Sequence, residues 1–131
     1  MATKIKLVQG DTRPQLRYTI SDENTQTIVD LTGATVLLKF REAGSSTILF
    51  TLTGTLLGGI EDENGVVTQD QPGENYEVPG SGGIVAFAFQ SGNLDIEPGL
   101  YEGELEVTFG APNAGIQTVY SVTKFQVRAQ F

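Results

Sequence analysis

Residues 95–109, DIEPGLYEGELEVTF, decide the fold predicted for this chain. After the turn residues Pro98 and Gly99, apolar and polar positions alternate, which is the period-two pattern of a strand with one buried face. The face predicted to point inward carries Tyr101, Gly103, Leu105, Val107 and Phe109, and the outward face carries Glu102, Glu104, Glu106 and Thr108. The segment therefore predicts a long strand that lies across a core late in a β protein.

The entry to this strand carries a second signal. Tyr101 follows a turn region that contains Asp95 and Gly99, and this arrangement resembles the tyrosine corner of immunoglobulin-like sandwiches, in which the hydroxyl bonds back to the preceding turn. Two positions later, where antibody domains carry a cysteine, this chain has Gly103, and it has no cysteine anywhere. We therefore predict an all-β, immunoglobulin-like antiparallel β-sandwich without a disulfide, in which Pro98, Gly99 and Tyr101 are structural residues.

Length and composition limit the alternatives. The 131 residues predict a single domain over 1–131. Because the chain has neither cysteine nor histidine, thiolate and imidazole nucleophiles and ligands are excluded, and we expect no metal and no cofactor. The net charge of −8 disfavours nucleic acid as a partner. No apolar run approaches the length of a signal peptide or a membrane span, so we expect a soluble protein made in a cytoplasm.

Turn signals divide the rest of the chain into about seven to nine strands. The predicted strands, besides the one at 101–109, are 4–8, 16–20, 36–41, 48–57, 66–69, 84–90 and 117–130. The Asn64-Gly65 pair predicts a hairpin turn, and a change of apolar parity predicts a bulge near Thr123 in the closing strand. Residues 70–83 form the longest stretch predicted to be irregular.

The first third of the chain resembles a known family. The stretch LVQGDTRPQLRYTISDENTQTIVDLTGATVLLKFR, with VDLTGATV at 29–36, is similar to small β-sandwich modules of tailed-bacteriophage virions, typified by the N-terminal domain of baseplate upper proteins. The later Pro-Gly-x-Tyr at 98–101 and the glutamate-rich strand match the same pattern. The sharpest match runs from Asp30 to Thr35, and the resemblance implies a structural role there for Asp30 and Gly33.

The resemblance implies a function. We expect a non-enzymatic virion structural protein that is made in the host cytoplasm and located in the virion. It should contact other virion proteins and copies of itself in a symmetric oligomer. A tail-, neck- or baseplate-associated adaptor is the first expectation, and a protein that decorates the capsid surface is the alternative. A carbohydrate- or receptor-binding module is a further alternative, and a glycosidase-like enzyme would need two carboxylates converging across a cleft. We expect no contact with membranes.

The strand at 101–109 places three candidate interface residues, Glu102, Glu104 and Glu106, along one outward face about 7 Å apart. In one reading these carboxylates form a cation site or an acidic docking strip. In the other they pair with basic residues on a neighbouring strand. In an immunoglobulin-like strand order that neighbour carries Lys39 and Arg41 outward, so the paired arrangement is expected.

The remaining interface candidates are basic or aromatic. Lys4, Lys6, Arg13 and Arg17 make the N-terminal region locally basic, which suggests either a docking face for an acidic partner or a solvated sheet face. Tyr76, in the 70–83 loop, is either an interface anchor or part of a loop without a partner. The N-terminal strand and the closing strand are both candidate edges for strand addition by another subunit.

Overall fold

The computed structural model describes residues 4–22, 27–61, 64, 66–68, 70–71, 74–75, 77–110, 114–119 and 122–130. Every regular element in these residues is a β-strand. The strands are β1 (Ile5–Val8), β2 (Gln15–Thr19), β3 (Thr35–Glu42), β4 (Ile48–Thr53), β5 (Thr55–Leu57), β6 (Ile60–Glu61), β7 (Val67–Thr68), β8 (Asp70–Gln71), β9 (Glu74–Asn75), β10 (Ile84–Ala88), β11 (Gly99–Phe109), β12 (Gly115–Thr118) and β13 (Thr123–Arg128).

Two sheets form the sandwich. The large sheet has the order β1-β13-β11-β3-β4, with β12 also paired to β11, and the small sheet has the order β2-β10-β5. Strands β2, β10 and β5 correspond to B, E and D of an immunoglobulin domain, while β3, β11 and β13 correspond to C, F and G. The predicted immunoglobulin-like sandwich is confirmed. Strand β1 joins the large sheet by parallel pairing with β13, from Ile5 beside Phe125 to Val8 beside Arg128.

The core lies between the sheets and follows the alternation of the sequence. In β3, Val36, Leu38 and Phe40 are buried, and the inward residues of β11 from Tyr101 to Val107 are buried with them. The small sheet contributes β10, whose first four residues are all buried. The Phe40 ring lies 4.6–5.4 Å, centroid to centroid, from the rings of Phe50, Phe125 and Tyr101. Aromatic packing of this kind adds about 0.5–1.5 kcal/mol per pair beyond area burial.

The prediction of one strand over 48–57 is wrong, because the structure has two strands there, β4 and β5. Strand β4 pairs with β3 in the large sheet, and β5 pairs with β10 in the small sheet, with the break at Gly54 between them. A Cβ atom at Gly54 would collide with the Val85 side chain, so the chain crosses closely over β10 at this point. Alternation alone does not reveal the crossing because both halves are apolar and β-branched.

The closing strand predicted over 117–130 is likewise interrupted. Strands β12 and β13 both lie along the edge of β11 opposite β3, with Glu106 facing Thr118 and Gly103 facing Thr123. From 118 to 123 is five steps against three from 103 to 106, so this side of the ladder has two more residues than β11 over the same stretch. The predicted bulge near Thr123 is confirmed, while the continuous strand is wrong.

The stretch 70–83 is more ordered than expected. Strands β8 and β9 pair within it, so the prediction of an entirely irregular loop is wrong. Its C-terminal part is held against the sandwich, because the Leu31 amide donates to the Gly80 carbonyl at 2.9 Å and the Ile20 amide donates to the Gly83 carbonyl at 2.8 Å. Strands β6 and β7 pair on either side of the turn predicted at Asn64-Gly65, and Gly65 itself lies outside the described residues.

Candidate interaction surface

The turn that enters β11 is tied by Tyr101. Its hydroxyl donates to the Glu97 carbonyl at 2.5 Å, four residues upstream, across exposed Pro98 and the first strand residue Gly99. Burial raises the pKa of Tyr101, and the negative charges of Glu42 and Glu97 raise it further. The hydroxyl therefore stays protonated and able to donate at neutral pH. This is the geometry of a tyrosine corner.

Gly103 lets three elements of the core approach closely. A Cβ atom at this position would lie 2.8 Å from Leu38 Cδ1 and 2.9 Å from Phe125 Cε2. The position that carries a disulfide cysteine in antibody domains is therefore filled by neighbouring side chains, and packing takes over the role of the cross-link.

Asp30 and Gly33 shape the loop that precedes β3. Asp30 Oδ1 accepts hydrogen bonds from the Thr32 amide at 2.9 Å and the Thr32 hydroxyl at 2.6 Å, which is an Asx-type turn. Gly33 has φ of 75°, in the left-handed region that glycine favours. Between them, Leu31 is fully buried in the core. The motif that carries the family resemblance therefore inserts a leucine from a loop.

The outward glutamates of β11 meet the basic residues of β3. Lys39 Nζ donates to Glu106 Oε2 at 2.7 Å, and Arg41 Nη2 lies 3.4 Å from Glu102 Oε1. The hydrogen bond to Glu106 is the main cause that raises the pKa of Lys39. Glu104 faces Lys39 across the strands but makes no ion pair within 4 Å in the described part of the chain. Because solvent screens such pairs, they contribute little to stability.

The four N-terminal cations lie on different surfaces, so they do not form one docking region. Lys6 is on the outer face of the large sheet, with Lys4 just before the same strand. Arg17 is on the small sheet, where its Nη2 donates to Glu61 Oε1 at 2.8 Å. Arg13 is exposed in the connection between β1 and β2. Tyr76 lies outside the described residues.

A different set of cations shares one surface. Because Phe125 and Val127 are buried, Lys124 and Arg128 point outward from β13. They lie beside the parallel strand β1, which carries Lys6 and is preceded by Lys4. We call these four residues the basic strip. Alternation in TKFQVR predicts the outward direction of Lys124 and Arg128, but no sequence signal places them beside residues 4–6.

Two hollows lie along the basic strip. One, of about 280 Å³, is lined by Lys6, Leu7, Val8, Gln126 and Arg128. The other, of about 210 Å³, is lined by Lys4, Ala43, Leu100, Tyr101, Glu102, Lys124 and Phe125. Leu100 is 47% exposed at the second hollow. The strip therefore combines positive charge with small apolar depressions on a rigid sheet face.

The closing strand is not an edge. Strand β13 lies between β1 and β11, so strand addition there is ruled out for its paired residues, whereas β1 is the outer strand of the large sheet. A third hollow, of about 260 Å³, opens between β2 and the bulge after β12, and Tyr18 lines it. Burial raises the pKa of Tyr18, and the Thr123 side chain partly offsets this rise.

The described residues lack the features of a metal site, of an exposed aromatic surface and of a membrane-spanning helix. No group of three or more acidic side chains there is arranged to hold a metal ion. Each described aromatic ring is buried or half-buried; Tyr76, Tyr120 and Phe131 lie outside that set. Within the same set, no helix has the length and apolar character needed to cross a membrane.

Comparison with known proteins finds a match among solved structures. No protein-family model matches the sequence, and no curated protein matches it. Among solved structures, the chain is similar to AggA, the major subunit of aggregative adherence fimbriae type I from Escherichia coli, with 15% identity and a TM-score of 0.35. That alignment covers 97% of this chain and 91% of the fimbrial chain.

Proposed function

We propose that this protein is a non-enzymatic structural component of a tailed-bacteriophage virion, acting as an adaptor in the tail, neck or baseplate. The sequence resemblance at Asp30 to Thr35 supports the virion assignment. The adaptor role is supported by the surface of the described residues, which suits protein contacts and holds no metal-binding group of acidic side chains.

The basic strip is the observation that carries the proposal. Lys4, Lys6 and Lys124 make no ion pair within 4 Å among the described residues, although acidic residues outnumber basic ones two to one in the chain. Strands β1 and β13 themselves carry no acidic residue. Cations concentrated on one rigid face of an acidic protein steer and orient an acidic protein partner.

The acidic residues of β11 fit the adaptor role better than catalysis. A glycosidase needs two carboxylates that flank a bound sugar from opposite sides of a cleft. Glu102 and Glu106 instead lie along one strand face and are engaged by Arg41 and Lys39. These pairs fix the outer surface of the large sheet next to the basic strip.

Deletion of the gene from the phage that carries it tests this proposal. We expect particles that fail to attach or complete their tails, and we expect the wild-type protein to restore them. The Lys6→Glu/Lys124→Glu variant should fail to restore them, whereas Arg13→Glu, an exposed cation outside the strip, should succeed. Normal infectious particles without the gene, or hydrolysis of host polysaccharide by the purified protein, would overturn the proposal.

A further inference from the structure

The outer edge of the large sheet carries backbone groups that face no partner strand. Strand β1 is the last strand on that side and pairs only with β13, in parallel, among the described residues. The Gln9 amide continues this ladder by donating to the Arg128 carbonyl at 2.9 Å. In a parallel ladder each residue directs its amide and carbonyl to the same side, and the side alternates along the strand. Leu7 therefore faces β13, whereas Lys6 and Val8 face the opposite side, which we call the free edge.

The free edge offers three backbone groups to a further strand. The amide and carbonyl of Lys6 and the amide of Val8 bond to no other described backbone group. The carbonyl of Val8 accepts from the Asp11 amide at 3.2 Å, so the edge ends there. Unpaired groups along the outer strand of a sheet are a template for an added strand. The free edge is therefore short and lies at the lysine end of β1.

Positive charge lies along the free edge. Lys4 and Lys6 are exposed and make no ion pair within 4 Å among the described residues, and neither β1 nor β13 carries an acidic residue. An acidic side chain comes close only beyond the strand, where a Cβ atom at Gly10 would lie 3.8 Å from Asp95 Oδ1. Pairing of β1 with β1 of a second copy would bring the lysines of both copies together, and like charges on adjacent strands are destabilising. The free edge therefore disfavours a second β1 and favours an acidic strand.

The two faces of β1 differ in what they would present to an added strand. On the inner face, Leu7 is buried, whereas Ile5 packs against the core but is only half-buried. On the outer face, Lys6 and Val8 border the hollow of about 280 Å³. Side chains of an added strand alternate between these faces with period two. One set would therefore lie beside the lysines and the other beside Ile5.

We propose that the free edge of β1 binds an extended segment of a partner protein in which acidic and apolar residues alternate. The backbone of the segment pairs with Lys6 and Val8. Its carboxylates face Lys4 and Lys6, and its apolar side chains cover Ile5. The inference rests on the proposed function, in that it names the kind of segment through which an acidic virion partner reaches the basic strip. Main-chain bonds supply affinity in such a complex, and the alternate side chains supply specificity.

Calorimetric titration of the purified protein with short synthetic peptides tests the proposal. A peptide of alternating glutamate and valine should bind at low salt, and a peptide of alternating lysine and valine should not. Lys6→Glu should weaken binding of the glutamate peptide at least about fivefold, because an opposite-charge pair becomes a like-charge pair. Arg13→Glu makes the same charge change away from the edge and should bind as wild type does. Binding of both peptides alike, or of neither, would overturn the inference.

Two further peptides separate strand addition from attraction between side chains alone. Each is the glutamate and valine peptide with every second amide N-methylated, at the glutamates in one and at the valines in the other. Only one of these two sets of amides faces β1 for a given direction of the added strand. One methylated peptide should therefore lose binding and the other should keep it. Any other pattern would contradict strand addition.

Val8→Pro makes the same distinction on the protein. Proline removes the amide that faces the free edge and leaves the four cations of the basic strip in place, and edge strands tolerate it where that amide faces outward. Val8→Pro should abolish binding of the glutamate peptide, whereas Val8→Ala, which keeps the amide, should bind it. Equal binding by these two variants would refute the inference. The methylated peptides decide the question if Val8→Pro does not fold.

Other occupants of the free edge give different results. Self-association of the wild type that Val8→Pro prevents would overturn the inference in favour of a second copy. Binding of an anionic DNA oligomer that Lys6→Glu abolishes would overturn it in favour of nucleic acid. The deletion experiment is independent of these measurements. Peptides that do not bind, together with particles that still require the gene, refute this inference alone, and peptides that bind, together with normal particles without the gene, refute the proposed function alone.

Discussion

Tyr101 and Gly103 make β11 the strand on which the fold depends. The hydroxyl of Tyr101 fixes the turn through the Glu97 carbonyl, and two residues later the missing side chain of Gly103 admits Leu38 and Phe125. Both residues are on the buried face of the strand, so the tie at the turn and the close packing act on the same core. A chain with no disulfide obtains its local rigidity in this region from a hydrogen bond and from packing density.

Replacing Tyr101 by phenylalanine should destabilise the domain. The ring remains in the core, but the Glu97 carbonyl loses its donor, and we expect the free energy of unfolding to fall by about 0.5–1.5 kcal/mol. Urea denaturation measures the difference. Glu97→Ala is the matched control, because it keeps the backbone carbonyl and should leave stability nearly unchanged. Equal stability of Tyr101→Phe and wild type would contradict the role given to the hydroxyl.

Among the elements, the loop before β3 also holds a distant part of the chain in place. Asp30 and Gly33 set its shape, Leu31 fills the core, and the Leu31 amide bonds to Gly80 of the distant segment 58–83. The loop therefore ties the C-terminal part of segment 58–83 to the sandwich. The motif that resembles virion modules therefore links the loop before β3 to segment 58–83.

Leu31→Ala tests this anchoring. Removal of a fully buried leucine leaves a cavity, so we expect a loss of about 2–5 kcal/mol in the free energy of unfolding. Hydrogen exchange should also become faster at the Leu31 and Ile20 amides, which bond to Gly80 and Gly83. Leu100→Ala, at a half-exposed site, is the control and should cost much less. A Leu31→Ala protein with unchanged stability would show that the loop does not hold the core.

The sequence predicts those features that depend on local alternation. The parity of β3, the faces of β11 and the bulge before β13 follow from period two, and Lys39 and Arg41 pair with β11 as the strand order implies. The crossing at Gly54 is not predictable, because its cause is contact with Val85, which lies 31 residues later in the chain. The sequence does not predict the basic strip for a similar reason, because its residues come from segments near opposite ends of the chain that meet only in the folded sheet.

At the scale of the whole molecule, the parallel pairing of β1 with β13 brings the first and last strands together on one face. This pairing creates the basic strip and the two hollows, and it leaves most of the acidic residues elsewhere. The first and last strands therefore concentrate positive charge on one part of the outer face of the large sheet.

Absolute quantification of the protein in purified phage particles tests the central claim most directly. The account predicts a fixed copy number equal to a small multiple of the rotational symmetry of the tail, with density for the module at the tail, neck or baseplate in electron microscopy. A copy number that matches the many subunits of the shell would assign it to capsid decoration instead. Absence of the protein from purified particles would contradict the account.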